Sequence, residues 1–119
     1  MAYIIDLPTF SDSRGSLTVV EKLLPFEIKR FYYIYNTVAQ RGGHRHKKTI
    51  QALISLGGSC EIYVNNGEQE NIFILDTPDQ CLILEPKDWH TMSNFLEGTV
   101  LLVFSSEFYD MNDYVDEKY

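Results

Sequence analysis

Residues 41–51 read RGGHRHKKTIQ, and this segment places His44 and His46 one residue apart. Side chains of an extended chain alternate between two faces, so both imidazoles project from the same face of a strand. The preceding pair Gly42-Gly43 tolerates backbone angles that a Cβ atom forbids, which permits a tight turn or a close approach to a bound molecule. Arg41 adds a guanidinium, which favours an anionic ligand over a bare cation. The segment therefore predicts a strand that presents two imidazoles and a guanidinium to one site.

The length and composition of the chain predict one sheet-rich domain over residues 1–119. A chain of 119 residues, 45% of them hydrophobic, is large enough for one core and too short for two. Its many β-branched and aromatic residues favour strands. About ten short apolar runs separated by turn residues are typical of a β-sandwich or barrel.

The apolar runs and turn residues predict individual elements. Asn65-Asn66-Gly67 indicates a hairpin, because Asn and Gly accept the positive φ angles of tight hairpin turns. The run 109–117 has an Asp-rich start suited to the helix dipole and predicts a short C-terminal helix. A turn is expected over 11–15. The main strands are expected at 17–21, 27–36, 51–56, 60–64, 72–75, 81–85 and 99–105.

The aromatic-rich run 27–36 has two faces of different character. Arg30, Tyr32 and Ile34 share one face of the predicted strand, and Phe31 and Tyr33 share the other. The alternation alone leaves open which of the two faces lines a cavity.

The charge distribution argues for a small anionic ligand. A net charge of -7 excludes a broad basic surface for nucleic acid. Locally, however, six of the ten basic residues surround the histidines, and a positive site on an acidic protein suits a phosphorylated small molecule. For Arg45, Lys47 and Lys48, the alternative is a solvated strand edge. The six are Lys29, Arg30, Arg41, Arg45, Lys47 and Lys48.

Neither a membrane segment nor a disulfide framework is expected. No apolar run approaches the roughly 18 residues of a membrane span, and the N-terminus lacks the basic and apolar regions of a signal peptide. The expected location is the cytoplasm. Cys60 and Cys81 lie in apolar, strand-like runs without CxxC spacing, which indicates buried free thiols.

Two spaced patterns resemble the motifs of the cupin family. The residues that resemble the first motif are His44, His46, Gln51 and Gly58. Those that resemble the second motif, with one residue fewer than usual between proline and histidine, are Pro86, His90 and Asn94. The resemblance covers nearly the whole chain. It implies an all-β cupin jelly roll, or double-stranded β-helix, in which His44, His46, Gln51 and His90 converge inside the barrel.

A metal ion is one interpretation of these histidines, because first-row metals commonly take three histidines and a fourth ligand. Gln51 stands where metal-binding cupins carry a carboxylate, and it is a neutral, weaker ligand. Arg41 also places fixed positive charge close to the site. We therefore expect no metal and favour an acid–base or substrate-binding role. Simple hydrogen bonding within the barrel is the structural alternative.

A more specific resemblance is to the sugar 3,4-ketoisomerases. The segments that carry it are Asp12-x-Arg14-Gly15-x-Leu17, KRFYYIYN at 29–36, RGGHRHKK at 41–48 with Gln51, Trp89-His90, and SSEFYD at 105–110. The resemblance implies a cofactor-independent enzyme that moves the keto group of dTDP-4-oxo-6-deoxy-D-glucose from C4 to C3, in deoxyamino-sugar biosynthesis for surface polysaccharides. Arg45 is a departure, since family members often carry a small residue there. Its side chain should point away from the cavity.

The expected chemistry explains the residue types. Moving the ketone requires a proton to leave C3, an enediol or enediolate intermediate, and a proton to reach C4. Imidazole, with an unperturbed pKa of about 6.5, can perform both transfers. The resemblance assigns them to His44 and His46; we favour His44 as the base and His46 as the group that orients it or shuttles a proton. Arg41 and Tyr32 would stabilise negative charge on the sugar oxygens, although Tyr32 could instead be an aromatic core residue.

The remaining substrate contacts are expected from Arg14, Arg30, Gln51 and His90. Arg30 or Arg14 could pair with the diphosphate, and the alternative for Arg14 is a solvated turn residue. Arg14 and His90 resemble the family type that gives the galacto-configured product. The resemblance also implies a homodimer with exchanged N-terminal strands.

Three rival functions remain open. Deoxysugar 3,5-epimerases share the Arg-Gly-x-His string and the dTDP-4-oxo sugar, but they usually carry a single histidine where His44 and His46 stand here. A metal-dependent cupin oxygenase would contain stoichiometric metal. A non-catalytic nucleotide-sugar binding module would bind dTDP without turnover.

Overall fold

The computed structural model describes residues 1–119. It contains two five-stranded antiparallel sheets. The strands of the first sheet are, in spatial order, β1 (Tyr3–Asp6), β9 (Gln80–Leu84), β6 (Gln51–Leu56), β11 (Val100–Ser105) and β4 (Arg30–Ile34). Those of the second sheet are β12 (Tyr114–Val115), β5 (Arg41–His46), β10 (Trp89–Ser93), β7 (Cys60–Asn65) and β8 (Glu70–Leu75). The predicted all-β jelly roll is confirmed.

The main core lies between the two sheets. Leu53, Leu101 and Val103 of the first sheet pack with Ile62 and Val64 of the second, and all five side chains are fully buried. Inward residues alternate with outward ones along β7 and β11, as expected for strands with one face in the core. This core fixes the spacing between the sheets and therefore the width of the space at their open end.

Strand β6 is apolar at consecutive positions because both of its faces are covered. Ala52 and Ile54 pack on the outer side of the first sheet against Val20, Leu24 and Phe26, which lie in the connection that precedes β4. A strand buried on both faces reads as a continuous apolar run, without alternation. The predicted bounds 51–56 agree with β6.

An N-terminal hairpin stands apart from both sheets. Strands β2 (Thr9–Asp12) and β3 (Gly15–Thr18) pair only with each other, and the apolar side chains of Phe10 and Leu17 are 65% and 59% exposed. The strand predicted at 17–21 is therefore wrong in its bounds. It begins at Gly15, where the hairpin turns, and it ends at Thr18, after which the Val19 N–H donates to the Pro8 carbonyl.

The strand predicted over 27–36 is shorter, because β4 ends at Ile34 and Asn36 takes a positive φ of 54°. The structure also shows which face of β4 lines a cavity. Arg30, Tyr32 and Ile34 are partly buried and line the cavity described below, whereas Phe31 and Tyr33 are largely exposed and only Tyr33 of these two borders the cavity.

The helix predicted over 109–117 is wrong except for one 3-10 turn, Met111–Asp113. The carboxylate of Asp110 accepts the Asn112 N–H and caps this turn. The turn stops because Asp113 is held by distant partners, and the next two residues extend as β12 beside β5. Tertiary hydrogen bonds have replaced local helix propensity in this segment.

Other expectations concern the thiols and membrane segments. Cys60 and Cys81 are both buried and free, as predicted. Burial raises the pKa of Cys60 to about 11 and that of Cys81 to about 12, so both thiols stay protonated. None of the helical structure is long and apolar enough to span a membrane.

Candidate active site

Three histidines meet where β5 pairs with β10. His44 lies opposite His90 in the strand register, and His46 follows on the same face of β5. The ring centroid of His44 is 5.1 Å from that of His46 and 5.0 Å from that of His90, while His46 and His90 are 6.3 Å apart. The alternation of side chains along β5 thus brings together the imidazoles selected from the sequence.

A cavity of about 430 Å³ opens beside these rings. It lies between β4 of the first sheet and β5 and β10 of the second, and it ends against β12. The polar side chains that line it are Arg30, Tyr32, Arg41, His44, His90 and Tyr114. Its size and mixed lining suit a small polar ligand that enters from one end of the sandwich.

Gly42 allows β5 to approach β10 closely enough to form this wall. It adopts a φ of +87°, and a Cβ atom at this position would lie 2.8 Å from the carbonyl oxygen of His90. Only glycine meets both conditions without displacing the strand. The requirement for a close approach, predicted from the Gly-Gly pair, is therefore met at Gly42 by the neighbouring strand.

His46 is held by a buried carboxylate. Its Nδ1–H lies 3.0 Å from Oδ2 of Asp113, which also accepts the hydroxyl of Thr49, and the Lys48 backbone N–H donates to Oδ1 at 2.9 Å. Burial acts to raise the pKa of Asp113, but the hydrogen bonds from Thr49, Lys48 and His46 outweigh it and hold that pKa below its usual value. Asp113 is therefore an ionised acceptor.

The carboxylate fixes the tautomer of His46. Burial lowers the pKa of His46 more than Asp113 raises it, so the ring is neutral near pH 7. With the proton on Nδ1 facing Asp113, Nε2 is left as a lone pair, and this buried atom has no hydrogen-bond partner. A neutral ring with a free, oriented Nε2 is suited to accepting or relaying a proton.

His44 forms part of the cavity wall itself. Burial and the neighbouring His46 lower its pKa, while Asp116 acts in the opposite direction. The ring is consequently neutral near pH 7. Of the two histidines on β5, His44 is the one that lines the cavity, and His46 lies behind it.

His90 is the most buried of the three, with 1% of its surface exposed. Its Nδ1–H donates to the carbonyl oxygen of Asp88 at 3.0 Å, and Nε2 has no partner. Burial lowers the pKa of His90 to about 3, so this ring stays neutral at any pH at which the enzyme would work. It can accept a hydrogen bond from a ligand hydroxyl.

Tyr32 lines the opposite wall of the cavity, whereas Gln51 is buried and does not line it. The amide Nε2 of Gln51 donates to the Tyr32 hydroxyl oxygen at 3.2 Å, which leaves the phenolic proton free to point at a ligand. Burial raises the pKa of Tyr32, so the phenol remains a proton donor. The Arg30 guanidinium lies 4.5 Å from the Tyr32 ring and adds positive charge to this wall.

Arg14 is not brought into this cavity within one chain. It sits at the tip of the exposed hairpin, where its guanidinium pairs with Asp12 at 2.6 Å and its side chain is 88% exposed. Of the six basic residues around the histidines, only Arg30 and Arg41 line the cavity. The side chains of Arg45, Lys47 and Lys48 lie outside it.

Asp113 and Tyr114 belong to the site and were not selected from the sequence. The Tyr114 ring is 4.7 Å from that of His44 and 4.5 Å from that of His46. Both residues were assigned to a predicted helix. The available signal was an ionisable residue shortly after the SSEFYD segment, but nothing local links it to His46, which lies 67 positions earlier.

A metal ion is the other ligand that the histidine cluster could be expected to hold. Nowhere in the structure do three or more His, Cys, Asp or Glu side chains form a group that could hold a metal ion. Arg41, in the same cavity wall, would oppose a bound cation.

The paired sheets and the histidine-lined cavity at their open end define a cupin-type protein. The chain belongs to the family described as "FdtA: WxcM-like, C-terminal", whose model matches residues 1–119. A relative from Aneurinibacillus thermoaerophilus is named TDP-4-oxo-6-deoxy-alpha-D-glucose-3,4-oxoisomerase. It is 40% identical over an alignment 116 residues long, which covers 94% of this chain and 84% of the relative. The resemblance to the sugar 3,4-ketoisomerases is confirmed.

Solved structures of 3,4-ketoisomerases are also similar to this chain. A 3,4-ketoisomerase from Helicobacter canadensis superposes with a TM-score of 0.93 at 42% identity, covering 98% of this chain and 90% of the other. A histidine-to-asparagine mutant of the 3,4-ketoisomerase QdtA from Thermoanaerobacterium thermosaccharolyticum, in complex with TDP-4-keto-6-deoxyglucose, gives a TM-score of 0.93 at 40% identity and coverages of 98% and 87%. A dTDP-4-dehydrorhamnose 3,5-epimerase from Bacillus anthracis matches at only 16% identity with a TM-score of 0.83, covering 95% and 76%, and shares the fold alone.

Proposed function

We propose that this protein is a sugar 3,4-ketoisomerase that converts dTDP-4-oxo-6-deoxy-D-glucose into its 3-oxo isomer, on a route to deoxyamino sugars of surface polysaccharides. The observation that carries the proposal is the pair of neutral imidazoles, His44 in the cavity wall and His46 behind it, with Asp113 fixing the tautomer of His46. The mutant QdtA structure, which contains the 4-keto sugar, supports the choice of substrate.

The reaction moves one hydrogen between carbons and one between oxygens. His44 removes the proton on C3, the electrons of that bond form the C3=C4 double bond, and the C4 carbonyl oxygen becomes negative. That oxygen then takes a proton, the C3 hydroxyl loses one, and C4 receives a proton as the new carbonyl forms at C3. Electrons are conserved within the sugar, so the steps consist of proton transfers alone.

The cavity supplies a group for each requirement. Tyr32 donates its phenolic proton, and Arg41 its charge, to the oxygen that becomes negative, which is the role of a preorganised donor. His46, which lies behind His44 and has a free Nε2, acts through His44 by orienting that ring or relaying a proton to it. The unpartnered Nε2 of His90 orients the sugar ring, and Gln51 acts on the substrate through its hydrogen bond to the Tyr32 hydroxyl.

The nucleotide is recognised by charge at the cavity mouth. Arg30 places a guanidinium in the cavity lining, and this group can pair with the diphosphate oxygens. A cavity of about 430 Å³ accommodates a sugar, so the nucleotide extends toward the opening.

The N-terminal hairpin supports a homodimer with exchanged N-terminal strands. Its apolar residues Phe10 and Leu17 are exposed and pair only with each other across the hairpin. In an exchanged dimer, Arg14 would reach the substrate in the cavity of the partner subunit. Arg14 and His90 would then act on the same substrate, and we propose the galacto-configured product for this pair.

The test is a proton NMR time course with dTDP-4-oxo-6-deoxy-D-glucose in deuterated buffer. We expect a 3-oxo sugar that carries deuterium at C4, with deuterium at C3 found only in 4-oxo sugar re-formed by the reverse reaction. His44→Asn should lower the rate by about 100-fold or more while dTDP binding and melting temperature persist. Exchange at C3 and C5 would instead identify an epimerase. Loss of activity with chelator, together with stoichiometric metal, would identify a metal enzyme, and dTDP binding without turnover would identify a binding module.

A further inference from the structure

The last seven residues, 113–119, form a segment that we name the C-terminal strap. Its first two residues contact the proposed catalytic pair, because Asp113 accepts the Nδ1–H of His46 at 3.0 Å and the Tyr114 ring packs on both His44 and His46. The strap therefore supplies one wall of the site and fixes the orientation of His46.

The backbone pairing of the strap is short. Strand β12 contains two residues, Tyr114 opposite His46 and Val115 opposite Arg45, and residues 116–119 are exposed. Two paired residues at the edge of a sheet contribute little to the stability of the strap, and so short a strand separates readily from its neighbour. Asp113 is anchored by hydrogen bonds from His46, Thr49 and the backbone N–H groups of Lys47 and Lys48. The position of Tyr114, and with it the alignment of Asp113 on His46, also depends on the side chains that hold the rest of the strap.

Arg45 holds the strap from the opposite face of β5. It lies between the two histidines in sequence, so its side chain points away from the cavity. Its Nε–H donates to the Glu117 carbonyl at 3.0 Å, and its guanidinium lies 4.3 Å from the centre of the Tyr119 ring. A hydrogen bond and a cation–π contact thus fasten the strap directly behind the residue pair that performs the proton transfers.

Trp89 holds the strap from β10 in the same way. Its indole Nε1–H donates to the Asp116 carbonyl at 2.9 Å, and Lys118 lies 5.2 Å from the indole ring. The Tyr119 hydroxyl donates to the Lys87 carbonyl in the turn that precedes β10. Each attachment thus lies next to a histidine of the cluster, with Arg45 between His44 and His46 and Trp89 immediately before His90.

We propose that Arg45 and Trp89 are positioning residues for catalysis, which act by clamping the C-terminal strap so that Asp113 and Tyr114 hold the His44/His46 pair. The proposal rests on the proposed function for its kinetic consequence. The structural consequence, an ordered Asp113–His46 hydrogen bond that requires the clamp, is independent of the substrate.

The test compares Arg45→Ala with Lys47→Ala and Arg45→Lys. The Lys47 side chain is exposed, and Lys47 contacts the strap through its backbone N–H, which donates to the Asp113 carbonyl. Lys47→Ala therefore removes the same charge from nearly the same place and leaves that hydrogen bond intact. Arg45→Ala should lower kcat by about ten-fold with a smaller change in KM, as expected for losing a hydrogen bond from a charged group. Arg45→Lys keeps the cation over Tyr119 and should recover part of kcat, and Lys47→Ala should match the wild type.

A second readout needs no substrate. In proton–nitrogen NMR spectra, the wild-type Nδ1–H of His46 should give a distinct, slowly exchanging signal, and Arg45→Ala should broaden or abolish it while the remaining spectrum stays folded. An unchanged signal and unchanged kcat in Arg45→Ala would overturn the proposal. If Arg45→Ala fails to fold, Trp89→Phe replaces it, because this change removes only the indole donor. The same two measurements, the His46 signal and kcat, then decide whether the strap must be held.

The two proposals fail in different ways. A wild-type protein that does not convert the 4-oxo sugar would refute the proposed function, and the His46 signal would still decide whether the clamp exists. A wild-type isomerase whose His46 signal is insensitive to both Arg45→Ala and Trp89→Phe would refute the clamp alone.

Discussion

At the scale of single residues, burial is the main control on the proposed proton carriers. It lowers the pKa of His44, of His46 and, most strongly, of His90. An imidazole that must accept a proton from carbon has to be neutral in the resting enzyme. The same burial keeps Tyr32 protonated, so the base and the donor are both in the required state near pH 7.

The lowered histidine pKa values predict the acid limb of the pH profile. We expect kcat/KM to be constant near pH 7 and to fall as pH decreases through an apparent pKa below 6.5, the usual histidine value. Because His44 and His46 interact, this value belongs to the pair. The measurement is a pH–rate profile at constant ionic strength. A limb centred above 6.5 would mean that one ring is held as a cation in the resting enzyme, contrary to the proposed mechanism.

The folded fraction of the protein must be measured over the same pH range as its activity. A histidine whose pKa is lower in the folded state binds its proton more readily when unfolded, so the stability it contributes is full above about 6.5 and is lost as pH falls below that value. For His90, with a folded pKa of about 3, that loss continues through the acid range. Circular dichroism at each pH therefore separates protonation of the base from unfolding.

The residues that could be inferred from sequence are those whose relation is local. His44 and His46 share a face because they are two positions apart, and this follows from strand geometry alone. Asp113 meets His46 across 67 positions, and no local pattern encodes that pairing. Its own neighbourhood, rich in acidic residues, favoured a helix start instead.

At the scale of elements, the approach of β5 to β10 sets the geometry of the site. Gly42 lies directly beside His90, and a side chain there would press on the His90 carbonyl at 2.8 Å. Displacing β5 would move His44 relative to His90, since the two are paired in the register. The close packing of the two strands is thus a condition for the spacing of the imidazoles.

Gly42→Ala should therefore damage both stability and catalysis. The positive φ alone costs alanine about 1–2 kcal/mol, and the contact with His90 should raise the loss of unfolding free energy to about 2–4 kcal/mol. We expect kcat to fall about ten-fold, because small displacements of catalytic groups are costly. Urea unfolding and steady-state kinetics measure the two effects.

Gly98→Ala is the matched control for this change. Gly98 has a similar φ of +82°, but no atom lies within 4 Å of the position that a Cβ would take. It should show the backbone cost alone, about 1–2 kcal/mol, with kcat unchanged. Equal effects of the two substitutions would show that the approach of β5 to β10 does not constrain the site.

Elements with a local cause were predicted correctly, and elements with a distant cause were not. The hairpin at 65–67 depends on its own Asn and Gly residues, and β7 and β8 pair across it as expected. Strand β12 exists because β5 offers an open edge, so its sequence alone read as helix. The inward face of β4 became clear only from the position of β5 and β10 across the cavity.

At the scale of the whole molecule, the β2–β3 hairpin pairs with no other strand of its own chain. The β2–β3 hairpin is stabilised only by its own pairing, and it exposes Phe10 and Leu17. An isolated two-stranded hairpin is marginally stable in water. A second copy that covers the hairpin would bury these side chains and carry Arg14 toward the other cavity, which is the arrangement proposed above.

Mixed dimers test whether Arg14 acts across the subunit boundary. Arg14→Ala should lower kcat/KM about ten-fold if its guanidinium contacts the diphosphate, and His44→Asn should be nearly inactive. In a mixed dimer of the two variants, one cavity would combine an intact His44 with an intact Arg14 from the other chain. About half of the wild-type activity should return, because one of the two cavities is whole.

Tyr32→Phe mixed with His44→Asn provides the control. Both residues line the cavity of their own chain, so every cavity of this mixed dimer carries one defect and activity should not return. Light scattering establishes that each preparation is dimeric, and two affinity tags isolate the mixed species. Rescue with Arg14→Ala but not with Tyr32→Phe requires the hairpin to cross between subunits. Failure of both pairs in a proven dimer would leave Arg14 acting on its own chain or outside the site, and the exchanged arrangement would be wrong.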